Sequence, residues 1–297
     1  MLSLGLLLAI LCGVFISLLP LVSWLQGDGA GRQMWMMVFG HVLAVPVLIA
    51  VALLTGQGGA SVAFLAVAVA AGACFALNGG LYYAAAMRLG PMAVSWVIVW
   101  LSSVGVAIVG WFVLREPIYA GQPIAVLCFA GCLAAMGRAT WKASREAGGD
   151  TSVRPGFWLS MTGSLIGAVL GVMLVKCHPA GGTDLMFVAG EAAGVMLGSL
   201  VMVALARMKP ATDRRTWGCA ALWGLIVVPQ YLLAVHGLAL IDASAFQPTS
   251  AGAGLSLGVL WSALRGERPR PMVWFGAALA LLSIAFINWP RIVLVRW

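Results

Sequence analysis

Charge is scarce in this chain: Asp, Glu, Lys and Arg make up 9% of its 297 residues, where an ordinary soluble domain carries about 25%. That shortage excludes a soluble globular domain. Organised cysteine chemistry is missing as well. Cys12, Cys74, Cys128, Cys132, Cys177 and Cys219 form no CxxC pair and have no histidine at metal-ligand spacing, so neither a disulfide framework nor a metal site is indicated. The chain contains no HExxH, DDxxD-like or Walker sequence, and its nine acidic residues are too few to hold a pyrophosphate through magnesium. Neither an enzyme nor a bound cofactor is expected. The net charge of +8 is not laid out in basic stripes with interleaved aromatics, which argues against a nucleic-acid partner.

Apolar surface is abundant instead: 62% of the residues are hydrophobic, and thirteen are tryptophan. A hydrocarbon core about 30 Å thick is crossed by roughly 20 apolar residues in helix. Ten such segments are legible, at residues 2–25, 33–55, 59–87, 91–114, 119–137, 156–176, 185–206, 216–239, 244–264 and 271–289. Lipid cannot satisfy exposed backbone groups, so these segments are read as packed helices, and the alternation of a membrane barrel is absent. The expected class is all-α membrane, multi-pass in the cell's inner (plasma) membrane, with the lipid bilayer as a partner. The first run has no basic leader and no clear cleavage motif and is read as a retained span.

One connection has the composition of a linker, RATWKASREAGGDTSVRP from Arg138 to Pro155. It divides the chain into a five-helix unit at 1–137, a polar cytoplasmic linker at 138–155 and a second five-helix unit at 156–297. The stretch beginning at Leu89 aligns without gaps on the stretch beginning at Leu240, which places Glu116 on Glu267 and Ala125 on Gly276. Repeats with an odd number of helices enter the membrane from opposite sides. The expected architecture is therefore ten transmembrane helices as two inverted five-helix repeats, 5+5, a plan common among secondary transporters. Lys and Arg collect in alternate loops, among them Arg32, Arg88, Lys142, Arg207, Lys209, Arg214, Arg215 and Arg270, whereas the opposite face has Arg115, Lys176, Arg291 and Arg296. Positive-inside bias then puts both termini outside the cytoplasm.

The paired ends WFVLREPIYAGQPIAVLCFAGCLAAMG (Trp111 to Gly137) and WSALRGERPRPMVWFGAALALLSIAFIN (Trp261 to Asn288) are each preceded by a small-residue helix and by LYYAAAMRLG or LLAVHGLALI. Over nearly the whole chain this pattern resembles the EamA-type repeats of the drug/metabolite transporter superfamily. The resemblance implies a ten-helix carrier that works by alternating access through a central cavity. Its cargo would be a small polar metabolite such as an amino acid, a sugar, a nucleotide derivative or an organic cation. The protein is expected as a monomer or homodimer. A flippase for a lipid-linked substrate, or a membrane-embedded enzyme, is the alternative. Two features depart from the pattern. Typical members carry a basic residue early in the second and seventh helices, where this chain has His41 and Glu191. Termini outside the cytoplasm also differ from the family's amino-acid exporters, which makes the bacterial sugar-uptake permeases the alternative relatives.

Glu191 is the leading site candidate. In FVAGEAAGVML it is a lone carboxylate inside an apolar run, where a charge costs at least about 2.5–3.5 kcal/mol on the insertion scale. Such a group either exchanges a proton, holds a cationic substrate group, or pairs with a neighbour such as Lys176. Overlaying FGHVLAVPVL on AGEAAGVMLG makes His41 its mate. His236, Gln230 and Gln247 lie in the eighth and ninth helices, Gln247 beside Pro248, whose ring frees a backbone carbonyl. Asn78, Tyr82 and Tyr83 lie in the third helix, and Trp96 and Trp100 in the fourth, where aromatics either stack on a sugar or cation or simply pack. The expected substrate-binding set is Glu191, His41, His236, Gln230, Gln247, Asn78, Tyr82 and Trp100, with Glu191 as the proton-coupling group. Glu116 and Glu267, beside Arg115 and Arg268, are read as interfacial salt bridges. GSLIGAVLG (Gly163 to Gly171) and GEAAGVMLG (Gly190 to Gly198) are small-xxx-small seams that let the sixth and seventh helices approach closely.

Overall fold

The computed structural model describes residues 4–27, 30–89, 92–146, 155–264, 266, 268–287, 289 and 293–296. Among them the protein is all-α. The helices are α1 (Leu4–Gln26), α2 (Ala30–Leu54), α3 (Val62–Leu89), α4 (Met92–Phe112), α5 (Gly121–Glu146), α6 (Pro155–Lys176), α7 (Asp184–Leu205), α8 (Arg214–Leu240), α9 (Ala243–Leu264) and α10 (Pro271–Ile287). A short antiparallel pairing joins β1 (Ile118–Tyr119), between α4 and α5, to β2 (Val293–Val295) near the C-terminus. Among the described residues five stretches are long and apolar enough to cross a membrane: Leu4–Ser23, Gly31–Leu54, Gly121–Ala139, Asp184–Leu205 and Arg214–Leu240.

The helix boundaries follow hydropathy closely, with one difference. α5 continues through Glu146, nine residues beyond the apolar run that ends at Gly137. The segment from Arg138 to Glu146 contains neither Pro nor Gly and is rich in Ala, Lys, Arg and Glu, so helix propensity carries it on into the polar linker. Its last residue, Glu146, pairs with Arg270 at the foot of α10. This ties the ends of two helices that pack along each other.

α3 lies against α6 and α7, and α8 lies against α1 and α2. α2 packs on α7, α1 on α9, α4 on α6 and α9, and α5 on α10. Missing side chains make the closest contacts. A Cβ on Gly72 of α3 would fall 1.9 Å from the Glu191 carbonyl oxygen, and one on Gly194 of α7 would fall 2.1 Å from the Val69 carbonyl oxygen. Gly167 of α6 meets the backbone of Cys74 and Asn78 on the other flank of α3. The two glycine seams therefore both serve α3, one from each side.

α8 begins at an N-cap, Asp213, whose carboxylate accepts from Thr216 N at 3.0 Å and from Thr216 Oγ1 at 2.8 Å. These bonds, with help from Arg32, hold the Asp213 carboxyl below its ordinary range. A carboxylate lowered in the folded state stabilises above its unfolded pKa, and that contribution is lost as pH falls through the lower folded value. The thermal stability of wild type is thus expected to drop in acid below about pH 4, and Asp213→Ala should flatten that part of the profile. An unchanged profile in the variant would remove Asp213 as its source.

Candidate functional site

The polar centre is assembled from helices distant in sequence. His41 on α2 is 1% exposed and fully bonded: Nδ1 lies 2.7 Å from the Met37 carbonyl and Nε2 lies 3.0 Å from the Tyr231 hydroxyl of α8. A carbonyl only accepts, so Nδ1 carries the hydrogen. In the neutral ring Nε2 then accepts from the Tyr231 hydroxyl. Glu191 on α7 is 3% exposed, and its Oε2 has no hydrogen-bond partner among the described residues. The carboxyl interacts electrostatically with Tyr231 and with Cys12 of α1. Cys12 in turn meets Ser250 of α9 and donates to the Gln230 carbonyl at 3.7 Å. The Gln230 side-chain oxygen is buried and unpartnered.

The direction of Glu191 follows from the seam. Gly190, Gly194 and Gly198 face α3. Glu191 follows Gly190 by one residue, about 100° around the helix, so its side chain leaves the face packed on α3, and the groups it interacts with electrostatically are Cys12 on α1 and Tyr231 on α8. The arrangement couples a buried carboxyl to a phenol that is itself bonded to an imidazole, on helices from both halves of the chain. A proton or a hydrogen-bond donor can be held there, because buried polar atoms without partners are rare in stable interiors.

Of the expected residues, Glu191 and His41 are linked through Tyr231, and Gln230 joins through its backbone carbonyl, which accepts from Cys12. Gln247 is half-buried on α9, one turn from Ser250. His236 lies away from the cluster: it is exposed, with Nε2 3.2 Å from Asp184 at the start of α7. Asn78 sits where α3 crosses α6, and its backbone nitrogen approaches Gly167. Trp100 is buried in a separate apolar core with Phe129, Leu133, Leu255 and Ala280. Tyr82, Tyr83 and Trp96 lie outside the residues whose side chains are described. Tyr231 and Cys12 complete the cluster. The sequence presents Cys12 only as a small apolar residue, because nothing local signals that α1 will lie beside α8 and α9.

Two charge assignments are corrected. Lys176 does not pair with Glu191; its Nζ donates to the carbonyls of Leu238 at 2.6 Å and Ile241 at 2.8 Å. A cation at a helix C-terminus is favoured by the carbonyls left unpaired there. Glu116 is not an interfacial salt bridge: it is 5% exposed and accepts from Ala243 N at 2.7 Å and Ser244 N at 3.0 Å. It therefore caps α9 from the α4–α5 connection, and Gly110 leaves it room, since a Cβ there would meet its Oε2 at 2.5 Å. Glu267 lies outside the described residues. Glu116→Ala would strand two buried N–H groups, and a loss of about 2–4 kcal/mol is expected, with Glu116→Gln losing less. Equal thermal stability of all three proteins would remove the cap from the account. The pentapeptide GLSLG (Gly254 to Gly258) matches the GxSxG pattern of serine hydrolases. It lies inside α9, with Ser256 Oγ 3.4 Å from the Ala277 carbonyl, not on the strand-to-helix turn that exposes such a nucleophile.

No family model and no curated protein matches this sequence. A solved crystal structure, of a protein given no stated function, is similar in fold. It superposes with a TM-score of 0.71 at 16% identity, over 97% of this chain and 98% of that one. At that identity the likeness is one of fold alone.

Proposed function

We propose that this protein is a secondary active transporter, an EamA-like member of the drug/metabolite transporter superfamily built as two inverted five-helix repeats in the plasma membrane. It moves a small polar metabolite, an amino acid, sugar or organic cation, by alternating access, with Glu191 as the proton-coupling group. The observation that carries this reading is a buried carboxyl with an oxygen unpartnered among the described residues, coupled electrostatically to Cys12 of α1 in one half and to Tyr231 of α8 in the other, with Tyr231 bonded in turn to His41 of α2. Any rocking of one half against the other changes what that carboxyl meets. Coupling a proton to a conformational cycle requires such a dependence.

The packing pattern supports the repeat. Exchanging each helix for the one five places away turns the α3–α6 contact into α8–α1, α3–α7 into α8–α2, and α1–α9 into α6–α4, while α2–α7, α4–α9 and α5–α10 map onto themselves. A two-fold relation between halves predicts this list. His41 and Glu191, mates in the overlay, lie on the self-paired helices α2 and α7.

The test is a thermal-shift screen of purified protein against amino acids, sugars, nucleotides and organic cations, near pH 5.5 and again near pH 7.5. Solutes that stabilise by mass action are then followed as pH-gradient-driven flux in proteoliposomes. Saturable, pH-dependent flux of one solute class is expected. Binding without flux across a sealed bilayer would overturn the transporter reading.

A further inference from the structure

The basic end of the bundle carries a groove the central cluster does not use. About 650 Å³ in volume, it lies between the first turn of α2 and the α7–α8 connection, lined by Gly31, Arg32, Lys209, Pro210, Thr212 and Asp213. The ends of three spans meet there: Gly31 begins the α2 span, Leu205 ends that of α7 and Arg214 begins that of α8. It therefore stands at the depth where headgroups lie.

The lining has a definite chemistry. Arg32 and Lys209 are exposed, and Thr212 adds a hydroxyl. Asp213, the acidic group among the described lining residues, is bonded to Thr216 as the α8 cap. Asp213 also interacts electrostatically with Arg32, and the described lining still carries two cations to one carboxylate. Arg215 is held by the Leu25 carbonyl at 2.6 Å and does not compete for that role. Toward mid-membrane the surface becomes apolar. One to two turns below Arg32 on the same face of α2 are Trp35 and Phe39, and Phe39 stacks on Trp217 of α8 with ring centroids 4.3 Å apart and planes at 12°. Val42 and Leu43 continue that face and Leu225 continues α8, all exposed.

We propose that this groove binds an anionic glycerophospholipid, with the phosphate between Arg32 and Lys209 and an acyl chain along the Phe39–Trp217 seam. Charge complementarity selects the anionic headgroup, because basic pockets between membrane helices concentrate such lipids. Continuity of the cationic groove with an apolar, aromatic face selects a lipid over a free phosphate. The lipid bridges α2 and α8, which pack together, and α2 also packs on α7. An occupied groove thereby fixes the spacing of helices that carry His41, Tyr231 and Glu191.

The experiment is native mass spectrometry of purified protein titrated with phosphatidylglycerol, phosphatidylcholine, or soluble glycerol 3-phosphate. Wild type is compared with Arg32→Gln/Lys209→Gln and with a charge-matched control away from the groove, Lys142→Gln/Arg268→Gln. Wild type and control are expected to retain phosphatidylglycerol, and the groove variant to retain it about tenfold more weakly. Phosphatidylcholine and glycerol 3-phosphate should not displace it. Equal retention by groove variant and wild type would overturn the proposal, as would an equal loss in the control, which would mark diffuse surface charge. Displacement by glycerol 3-phosphate would assign the groove to a soluble phosphate instead. The circular-dichroism spectrum and thermal midpoint of each variant in lipid-free detergent establish that the comparison is between folded proteins.

Discussion

On the proposed transport mechanism, Glu191→Gln is expected to abolish proton-driven flux while leaving the protein folded. The substitution keeps the shape and one hydrogen-bonding oxygen, and the Oε2 atom it replaces has no partner to lose. Gln is neutral and close to isosteric, so the variant adds no charge to the interior. Its thermal midpoint should therefore equal or exceed that of wild type. What it cannot do is exchange a proton. Flux driven by a pH gradient should fall to the level of protein-free liposomes. If Glu191 also holds the solute, the thermal shift produced by that solute falls with it. If Glu191 serves the proton alone, solute binding survives and loses its pH dependence. Unaltered flux with unaltered pH dependence would make Glu191 a structural residue and end the coupling mechanism.

Gly72→Ala is expected to have the largest effect on stability of any single methyl addition considered. The new Cβ would fall 1.9 Å from the Glu191 carbonyl oxygen and 2.8 Å from the Val195 nitrogen, both backbone atoms of α7 that cannot swing aside. Separating α3 from α7 would also disturb the contact of α7 with α2. Overpacking a core costs about 1–3 kcal/mol, and more when backbone must move, so loss of monodisperse protein or a large fall in thermal midpoint is expected. Gly218→Ala supplies the contrast. Gly218 lies inside α8 with nothing within 4 Å of its would-be Cβ. Replacing an interior helical Gly with Ala is worth up to about 1 kcal/mol, so that variant should be as stable as wild type or more so. Equal behaviour of the two would mean that the α3–α7 seam is looser than its geometry.

The local chemistry of the sequence determined a great deal. Apolar runs of membrane length fixed the all-α class and nearly every helix boundary, because a backbone among apolar side chains must satisfy its own hydrogen bonds. The position of Glu191, isolated in such a run, marked it as costly and therefore worth examining. Glycine at four-residue spacing announced close helix contacts. The same reasoning stopped short wherever the partner was far away in the chain. Glu116 beside Arg115 looks like a salt bridge, yet its partners are the free N–H groups of α9, more than a hundred residues on. Lys176 was a plausible mate for Glu191 until the C-terminus of α8 came to lie beside it. His236 and His41 are equally apolar in their surroundings by sequence, but one is exposed beside Asp184 and the other is sealed against Tyr231. Hydropathy records how much each helix prefers to leave water and says nothing of its rotation or neighbours. Those are decided by which close-packed faces fit, and only tertiary packing could bring Cys12, His41, Glu191 and Tyr231 into one cluster.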